Sequence, residues 1–403
     1  MAEVKARLGK VVGQTRDRLV QLSHRIHAVP ELRFEERQSS AMVADLLATN
    51  GFDVTSGVAG METAFVATAG SGPLTIGICC EYDALPGIGH ACGHNIIASA
   101  GAGAGIALAQ VADDLGITVR VLGTPAEESG GGKILMLDRG AFDGVHAALM
   151  VHPSPMEVDG MDSLAVDHFQ VNYHGKAAHA SAWPQLGRNA ADAITVAQVG
   201  IGLLRQHLHP HDQIHGIVVR GGDAPNIVPA ETTARYYVRA ETLDALRTLR
   251  ERVERCLEAG AIATATTYDT QQDSAPYSEF AADLELAALY RANAEGIGRR
   301  FNPAGGKKGG STDMANVSLR MPAIHPMIAI EADGAVNHQP EFTAACVTES
   351  ADRAVRDGAL GLALTVADAA SNPAVRQRLL ETDTRHSAKK QESAGIALPP
   401  AGH

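Results

Sequence analysis

The stretch LTIGICCEYDALP, residues 74–86, decides the predicted fold of this chain. Its first part is a largely apolar run of strand length, typical of a strand buried on both faces inside a parallel sheet. A similar run occupies residues 117–123, and a segment with helical spacing separates the two runs. Strands that alternate with helices predict an α/β domain with a mostly parallel sheet.

Side chains capable of chemistry follow these predicted strands directly. Glu81 and Asp83 end the first run. Glu127 and Glu128 follow the second run, and His152 follows a third. Open α/β sheets place their functional sites at the carboxyl ends of the strands. We therefore expect these residues to meet at one edge of the sheet.

The pattern of predicted elements changes after the first part of the chain. A strand, helix, strand, strand, helix, strand order follows, which is that of a ferredoxin-like α+β unit. The sequence therefore predicts a catalytic domain of residues 1–167 and 278–382, interrupted by an inserted lid and dimerisation domain of residues 168–277. Residues 383–403 are polar and contain proline and glycine, so we predict a disordered tail.

The composition and charge of the chain argue against several classes of protein. The chain has 403 residues, 45% of them hydrophobic, which is enough for two domains with large cores. A formal net charge of −12 argues against a nucleic-acid partner, because phosphate contacts need a basic face. The five cysteines are scattered and odd in number, unlike a disulfide framework. The charged start has no apolar signal region and no apolar stretch approaches a membrane span, so we expect a cytoplasmic protein.

The pair Cys92 and His94 carries the chemistry. Gly93 between them permits the tight turn that would aim both side chains at one ion. A thiolate, imidazoles and carboxylates together form the ligand set of a transition-metal site. The adjacent Glu127 and Glu128 project in different directions, so one can bind an ion while the other serves as a general base.

Each of these residues also has an interpretation without a functional role. Cys92 can be a small buried hydrophobe. Glu127 and Glu128 can be surface acids at the start of a helix. His152 can be an ordinary loop histidine, and Asp83 can either form a turn or orient a metal ligand.

Two other functional classes fit the sequence poorly. The glycine-rich GAGAG at residues 101–105 lies inside a helical stretch and lacks the spacing of a dinucleotide-binding fingerprint, which argues against an oxidoreductase. Cys92 and His94 are too close in sequence for the usual geometry of a cysteine protease. Neither class accounts for the adjacent glutamates.

The motifs together resemble a known family of metal-dependent amide hydrolases, which includes aminoacylases, glutamate carboxypeptidases and plant auxin-conjugate amidohydrolases. HACGH at 90–94, PAEE at 125–128 and VHP at 151–153 are specific to its amidohydrolase branch. The longer EYDALPGIGHACGHN at 81–95 is similar to p-aminobenzoyl-glutamate hydrolase subunits and to dipeptidases that act on β-alanyl dipeptides. The resemblance covers residues 19–370.

The resemblance implies two divalent metal ions, Zn²⁺ or Mn²⁺, and a homodimer. Glu127 matches the general base of the family. Asp83 is the further predicted catalytic residue, as the acid that orients a ligand. The positions that match metal ligands are Cys92, His94, Glu128, His152 and His338.

The inserted domain supplies the remaining predicted site residues. By resemblance, His179 reaches the active site of the other subunit, while Asn226 and Arg239 lie around the substrate's carbonyl and carboxylate. The chain departs from the family at two places. Glu81 stands where many members have histidine, and GSTDM at 310–314 stands where the family has GSEDF, which leaves the role of this loop open.

The predicted function is metal-dependent hydrolysis of an amide or peptide bond in a small substrate that bears a carboxylate. A dipeptide, an N-acyl amino acid and a p-aminobenzoyl-glutamate-like amide all fit. Glu127 would take the proton of a metal-activated water, and the inserted domain would close over the site as a lid. The alternative is a catalytically inactive, metal-stabilised binding protein of the same fold.

Overall fold

The computed structural model describes residues 1–302 and 310–385 of the chain. These residues form two compact units. The first contains residues 1–162 and the described residues from 280 onward, and the second contains residues 163–279. The predicted tail beyond residue 385 and most of the predicted glycine-rich loop before residue 310 lie outside the described residues.

Strands and helices alternate along much of the chain, and they are numbered here in chain order. The strands are β1 (Asp53–Ser56), β2 (Phe65–Gly70), β3 (Leu74–Glu81), β4 (Ile117–Thr124), β5 (Ala147–Leu149), β6 (His152–Ser154), β7 (Ala165–His174), β8 (Gln213–Arg220), β9 (Glu231–Ala240), β10 (Thr267–Gln272), β11 (Ala323–Ile324) and β12 (Met327–Ala329).

The helices include three long ones at the start, middle and end of the described chain. The α-helices are α1 (Ala2–His27), α2 (Arg37–Ala48), α3 (His94–Ala109), α4 (Ala112–Leu115), α5 (Gly132–Asp138), α6 (Ala190–Leu204), α7 (Leu243–Thr264), α8 (Leu284–Gly296), α9 (Met314–Ser318), α10 (Pro340–Ala345), α11 (Glu349–Ser371) and α12 (Pro373–Leu380). Short 3-10 turns lie at Val58–Gly60, Pro184–Leu186 and Arg205–His207. None of the described helices combines the length and the apolar character needed to cross a bilayer.

A six-stranded sheet forms the centre of the first unit, in the order β1-β2-β4-β3-β5-β11. Its four strands β4, β3, β5 and β11 pair in parallel. The strands β1 and β2 extend it through antiparallel pairs. The sheet predicted to be mostly parallel is therefore a mixed sheet with a parallel core, within an α/β fold.

Helices cover both faces of β3. Ile76, Ile78 and Cys80 pack in one core with residues of α1, α3 and α11. Cys79, which points to the opposite face, packs in a second core with residues of α5 and α9. Every residue of β3 is buried. Burial on both faces explains why its sequence lacks the alternation of a half-exposed strand.

The parallel pairing of β3 with β4 and β5 brings their carboxyl ends to one edge of the sheet. Glu81 pairs with Thr124 of β4, and Ile78 pairs with Leu149 of β5. The loops that follow these strands begin side by side, which is the usual position of a site in an open α/β sheet.

The second unit, which includes the predicted insertion of residues 168–277, has the element order β7-α6-β8-β9-α7-β10. Its sheet is antiparallel with the strand order β10-β7-β9-β8. Buried side chains of α6 and α7 pack on this sheet in a core of their own. The order of elements is that of a ferredoxin-like unit.

The last strand of this unit begins later than its sequence indicates. The threonine-rich, β-branched stretch 262–269 predicts a strand along its whole length, but α7 continues to Thr264 and β10 begins at Thr267. Leu257 and Ala261 of the helix remain in the core, so packing extends the helix beyond what local propensity indicates. Ala265 ends it in a left-handed conformation with φ 53°.

Candidate metal centre

The predicted ligands Cys92 and His94 lie on either side of a left-handed turn. Gly93 has φ 75° at the start of α3, a conformation that glycine enters without a steric penalty. A Cβ atom on this residue would lie 2.4 Å from Cγ of Pro153. The turn brings Sγ of Cys92 and a ring nitrogen of His94 within 4.8 Å of each other and of a ring nitrogen of His152.

The sulfur of Cys92 lies between two groups of donor atoms. Its Sγ is 3.5 Å from Nε2 of His152 and 3.6 Å from Nε2 of His338. Nε2 of His338 is in turn 3.5 Å from Oε2 of Glu128. One group is therefore Cys92, His94 and His152, and the other is Cys92, Glu128 and His338. The structure brings all five predicted ligands together within the first unit.

Asp83 contacts two of these predicted ligands. Its Oδ1 lies 2.9 Å from Nδ1 of His94, and its Oδ2 accepts a hydrogen bond of 2.9 Å from the backbone N–H of Glu128. Burial opposes ionisation of this carboxyl, but the facing His94 holds the pKa of Asp83 below its usual value. Because Nδ1 of His94 faces this carboxylate, Nε2 is the nitrogen left for a ligand role.

Nε2 of His94 faces a cluster of carboxylate oxygens. It lies 3.5 Å from Oε2 of Glu81, 3.8 Å from Oε2 of Glu127 and 3.8 Å from Oε1 of Glu128. Within the described chain, this nitrogen and Oε1 of Glu128 are buried without a hydrogen-bond partner. Burial works to lower the pKa of His94, but the carboxylates, Asp83 first, raise it well above its usual value. The same negative field attracts a metal cation.

His152 has the form that metal-binding histidines usually take. Its Nδ1 lies 2.8 Å from the backbone oxygen of Pro153, which favours a proton on Nδ1 and leaves Nε2 towards Cys92. Burial, followed by the neighbouring His325, lowers the pKa of His152 to about 3. A neutral imidazole anchored through one nitrogen can bind a metal through the other.

The residues present fit divalent metal ions. Usual Zn–N and Zn–S bond lengths in a tetrahedral site keep neighbouring ligand atoms about 3.3–3.6 Å apart. The separations of 3.5 and 3.6 Å from Cys92 and of 3.5 Å between His338 and Glu128 agree with this spacing. Thiolate, imidazole and carboxylate donors in one cluster suit transition metals. A bound cation would also give the buried atoms without hydrogen-bond partners a counterpart.

Glu127 lies beside this cluster with little access to solvent. The residue is 7% exposed. Burial, followed by the charges of Glu81 and Glu128, raises the pKa of Glu127 well above its usual value. A carboxyl group with a raised pKa can accept and release a proton near neutral pH. The position of Glu127 beside the cluster and its raised pKa agree with its predicted role as general base, which stays a prediction.

Two residues of the site have a left-handed backbone although they carry side chains. Ala126, which precedes Glu127, has φ 58°, and His338 has φ 70°. Such conformations carry a steric cost and are held by the surrounding structure. The side chain of His338 is also 57% exposed, so it marks the open side of the cluster.

Sequence reasoning missed a buried network of charges behind the cluster. Nζ of Lys133 lies 2.6 Å from Oε1 of Glu81 and 2.7 Å from Oδ1 of Asp313, and all three side chains are 0% exposed. Burial opposes the charge of Glu81, but Lys133 and then His94 hold its pKa below the usual value. A lysine directly after three glycines was the available signal. The network gives a structural role to Asp313 of the loop at 310–314.

His325 is a second residue that the sequence did not single out. Its ring centroid is 5.3 Å from that of His152, and the residue is 1% exposed. Burial lowers the pKa of His325 to about 4. Neither of its ring nitrogens has a hydrogen-bond partner among the described residues. A lone histidine between short apolar segments has no spacing that would reveal it.

The other predicted site residues lie in the second unit. His179 forms an isolated β-bridge with Ile227, and the N–H of Ala180 donates to the carbonyl of Asn226 at 3.0 Å. Arg239 is half-buried on β9, and burial lowers the pKa of its guanidinium. The structure thus places His179 near Asn226, while Arg239 lies on a strand of the sheet. The roles expected of these three residues stay predictions.

Comparison with known proteins identifies the family. Residues 78–356 match the model for Peptidase family M20/M25/M40. The chain is 36% identical over 389 residues to the Xaa-Arg dipeptidase of Mus musculus, covering 92% of this chain and 90% of that protein. It is 33% identical over 313 residues to a p-aminobenzoyl-glutamate hydrolase polypeptide of Escherichia coli (strain K12), covering 72% of this chain and 65% of that one.

A solved structure agrees in fold. The YXEP protein of Bacillus subtilis, described as a dinuclear metal binding peptidase from the M20 family, has a TM-score of 0.66 at 22% identity, covering 88% of this chain and 99% of that one. The chain belongs to Peptidase family M20/M25/M40. It is a hydrolase of carbon–nitrogen bonds, which confirms the class that the sequence predicted.

Proposed function

We propose that this chain is a two-metal hydrolase of small amides in which Glu127 moves the proton of the attacking water. One observation carries the proposal: Cys92 lies between two donor groups, and Glu127 lies 3.8 Å from Nε2 of His94 in one of them. Cys92 would serve both ions. The remaining proposed ligands are His94, Glu128, His152 and His338.

The residues of the site would have different roles in the reaction. Divalent ions at these ligands would polarise an amide carbonyl and lower the pKa of a water molecule. Glu127 would accept the proton of that water on a carboxylate oxygen and pass it to the leaving nitrogen. Asp83 would keep His94 and Glu128 oriented, because it contacts both at 2.9 Å.

We propose a substrate with a free carboxylate next to the scissile amide. The names of the mouse and Escherichia coli relatives, a dipeptidase and a p-aminobenzoyl-glutamate hydrolase, describe proteins that act on such molecules. An N-acyl amino acid has the same two groups. Arg239 would bind the carboxylate through charge-assisted hydrogen bonds, and Asn226 would bind the carbonyl.

We propose that the second unit acts as a lid and as the contact between two subunits. β8 lies at the edge of its sheet and exposes Ile217, Val218 and Val219, with Ile217 65% exposed. An exposed apolar edge strand favours pairing with another chain. In such a homodimer, His179 of each subunit would stabilise the developing oxyanion in the other subunit's site.

The proposed metal is zinc or manganese, and the proposed location is the cytoplasm. The thiolate of Cys92 and the imidazoles around it favour zinc, whereas the carboxylates around His94 also suit manganese. All five cysteines are free, which suits a reducing compartment.

The test uses the purified native protein, freed of metal and then supplied with Zn²⁺ or Mn²⁺. Three substrates are offered: a dipeptide with a C-terminal arginine, p-aminobenzoyl-glutamate and an N-acyl amino acid. We expect release of a free amine from at least one of them, lost on exhaustive chelation and restored by metal. A protein that binds the ions but hydrolyses none of the three would contradict the proposed substrate class.

A further inference from the structure

The side chain of Glu36 reaches the turn that carries the two adjacent glutamates. Glu36 directly precedes α2, where its backbone oxygen accepts the N–H of Ser40 at 2.9 Å. Its carboxyl Oε1 accepts a hydrogen bond of 2.9 Å from the backbone N–H of Ala126. The residue is 0% exposed. Glutamates are rarely buried completely, so this position needs a reason.

The target of this hydrogen bond is the left-handed Ala126. Because Ala126 directly precedes Glu127, its φ of 58° sets the direction in which the chain enters Glu127. A residue with a Cβ atom holds such a conformation only where the surrounding contacts enforce it. The bond from Glu36 is one such contact, and it connects the turn to the start of α2.

Two acids hold the turn from two sides. Glu36 accepts the N–H of Ala126, and Asp83 accepts the N–H of Glu128, both at 2.9 Å. These two amides flank Glu127 in the sequence, so the backbone of Glu127 is fixed before and after its own residue. Asp83 ties its side of the turn to a proposed ligand, whereas Glu36 ties the other side to a helix.

We propose that Glu36 is a positioning residue for hydrolysis, because it holds Ala126 in the left-handed conformation and thereby directs the carboxylate of Glu127. This inference rests on the proposed role of Glu127 as the proton carrier. Asp83 anchors Glu128 independently, so loss of the Glu36 bond affects proton transfer rather than metal binding. Loss of this hydrogen bond is therefore expected to lower kcat while KM and the metal content stay unchanged.

The protonation state of Glu36 determines which substitutions test its hydrogen bond. Burial, followed by the charge of Asp83, raises the pKa of Glu36 to about 8. The carboxyl group is therefore largely protonated at neutral pH, and its carbonyl oxygen still accepts the hydrogen bond. Glutamine presents the same acceptor without charge, whereas methionine has a similar length and no oxygen.

The experiment compares the kinetics and metal content of Glu36→Met and Glu36→Gln in the full, metal-loaded chain. Glu36→Met is expected to lower kcat about 10–100-fold, the effect of displacing a catalytic group by about 1 Å. KM and metal content should stay within about twofold. Glu36→Gln should keep kcat within about threefold, because the acceptor remains. Adding Ala126→Gly to Glu36→Met should restore much of the lost kcat, since glycine adopts the left-handed conformation freely.

Three results would overturn the positioning role. The first is a kcat of Glu36→Met equal to that of the native protein. The second is a loss of kcat that the added Ala126→Gly does not restore. The third is a loss of kcat accompanied by an equal loss of bound metal. If Glu36→Met does not fold, amide hydrogen exchange of the native protein tests the contact instead. The amide of Ala126 is expected to exchange slowly, and exchange at the rate of an unprotected amide would show that the hydrogen bond to Glu36 is absent. Native protein without any hydrolysis would refute the proposed function, whereas active native protein with an equally active Glu36→Met would refute this inference alone.

Discussion

The ammonium group of Lys133 lies 2.6 Å from the carboxylate of Glu81 in the interior of the first unit. Asp313 approaches the same ammonium at 2.7 Å, so two buried acids share one buried base. The second oxygen of Glu81 lies 3.5 Å from Nε2 of His94. The three charges therefore leave one net negative charge beside the cluster of proposed metal ligands, which favours a cation there.

Replacing Lys133 should destabilise the fold strongly. Lys133→Met leaves Glu81 and Asp313 buried together without a counter-charge, which typically costs about 3–5 kcal/mol. Urea unfolding followed by circular dichroism measures the change. Lys10→Met, at an exposed position, is the matched control and should stay within about 0.5 kcal/mol of the native chain. Equal stability of the two variants would show that the network contributes nothing to folding.

Changing each of the two adjacent glutamates to glutamine should give different defects, one in catalysis and one in metal binding. Glu127→Gln should keep its metal but lose about 10²–10⁴-fold in kcat, the usual contribution of proton transfer. Glu128→Gln should lose metal, because its Oε2 lies 3.5 Å from Nε2 of His338. Metal analysis and steady-state kinetics on both proteins check this. Full activity in Glu127→Gln would rule out its role as the general base.

The buried carboxyl of Glu36 should make the metal-free protein less stable as the pH rises. Burial and then Asp83 raise its pKa to about 8 in the folded state, against an ordinary value of 4.5. The folded state thus binds this proton more tightly than the unfolded chain does. Its stabilising effect is complete below pH 4.5 and is lost as the pH rises to about 8, at up to about 1.4 kcal/mol per pH unit.

Glu36→Gln isolates this contribution, because all other titrating groups are common to both proteins. The difference in unfolding free energy between Glu36→Gln and the native chain, from urea titrations at several pH values, should grow in favour of the glutamine as the pH rises. A difference that does not change with pH would contradict the raised pKa.

Mixing two inactive variants tests whether subunits share a site. His179→Ala and Glu127→Gln should each be inactive alone, but a mixed dimer would have one site with both native residues. Random pairing predicts recovery of about one quarter of native activity. The control mixes His179→Ala with the double variant His179→Ala/Glu127→Gln, which cannot form an intact site. Mixed dimers without recovered activity would show that His179 serves its own subunit or none.

The features that the sequence predicted well depend on neighbouring residues. The turn at Gly93 follows from a local motif. The burial of β3 follows from its own apolar run. The family resemblance then added His338, which spacing alone would not have singled out, and the structure places its Nε2 3.6 Å from Sγ of Cys92.

The features that the sequence missed depend on contacts between distant parts of the chain. Lys133 and Asp313 are 180 residues apart, and Glu36 is 90 residues from Ala126. No periodicity relates such pairs, because only the folded chain brings them together. The extension of α7 to Thr264 also depends on tertiary contacts. Buried Leu257 and Ala261 keep in the helix residues that would locally favour a strand.

The most direct measurement is the number of zinc ions bound per chain, determined by mass spectrometry after exhaustive chelation and reloading. The shared position of Cys92 between the two donor groups predicts two ions in the native chain and in the control Cys256→Ser, whose cysteine lies in the second unit. It predicts a marked loss of bound zinc in Cys92→Ser. Two tightly bound ions in Cys92→Ser, or none in the native chain, would contradict the proposed metal centre.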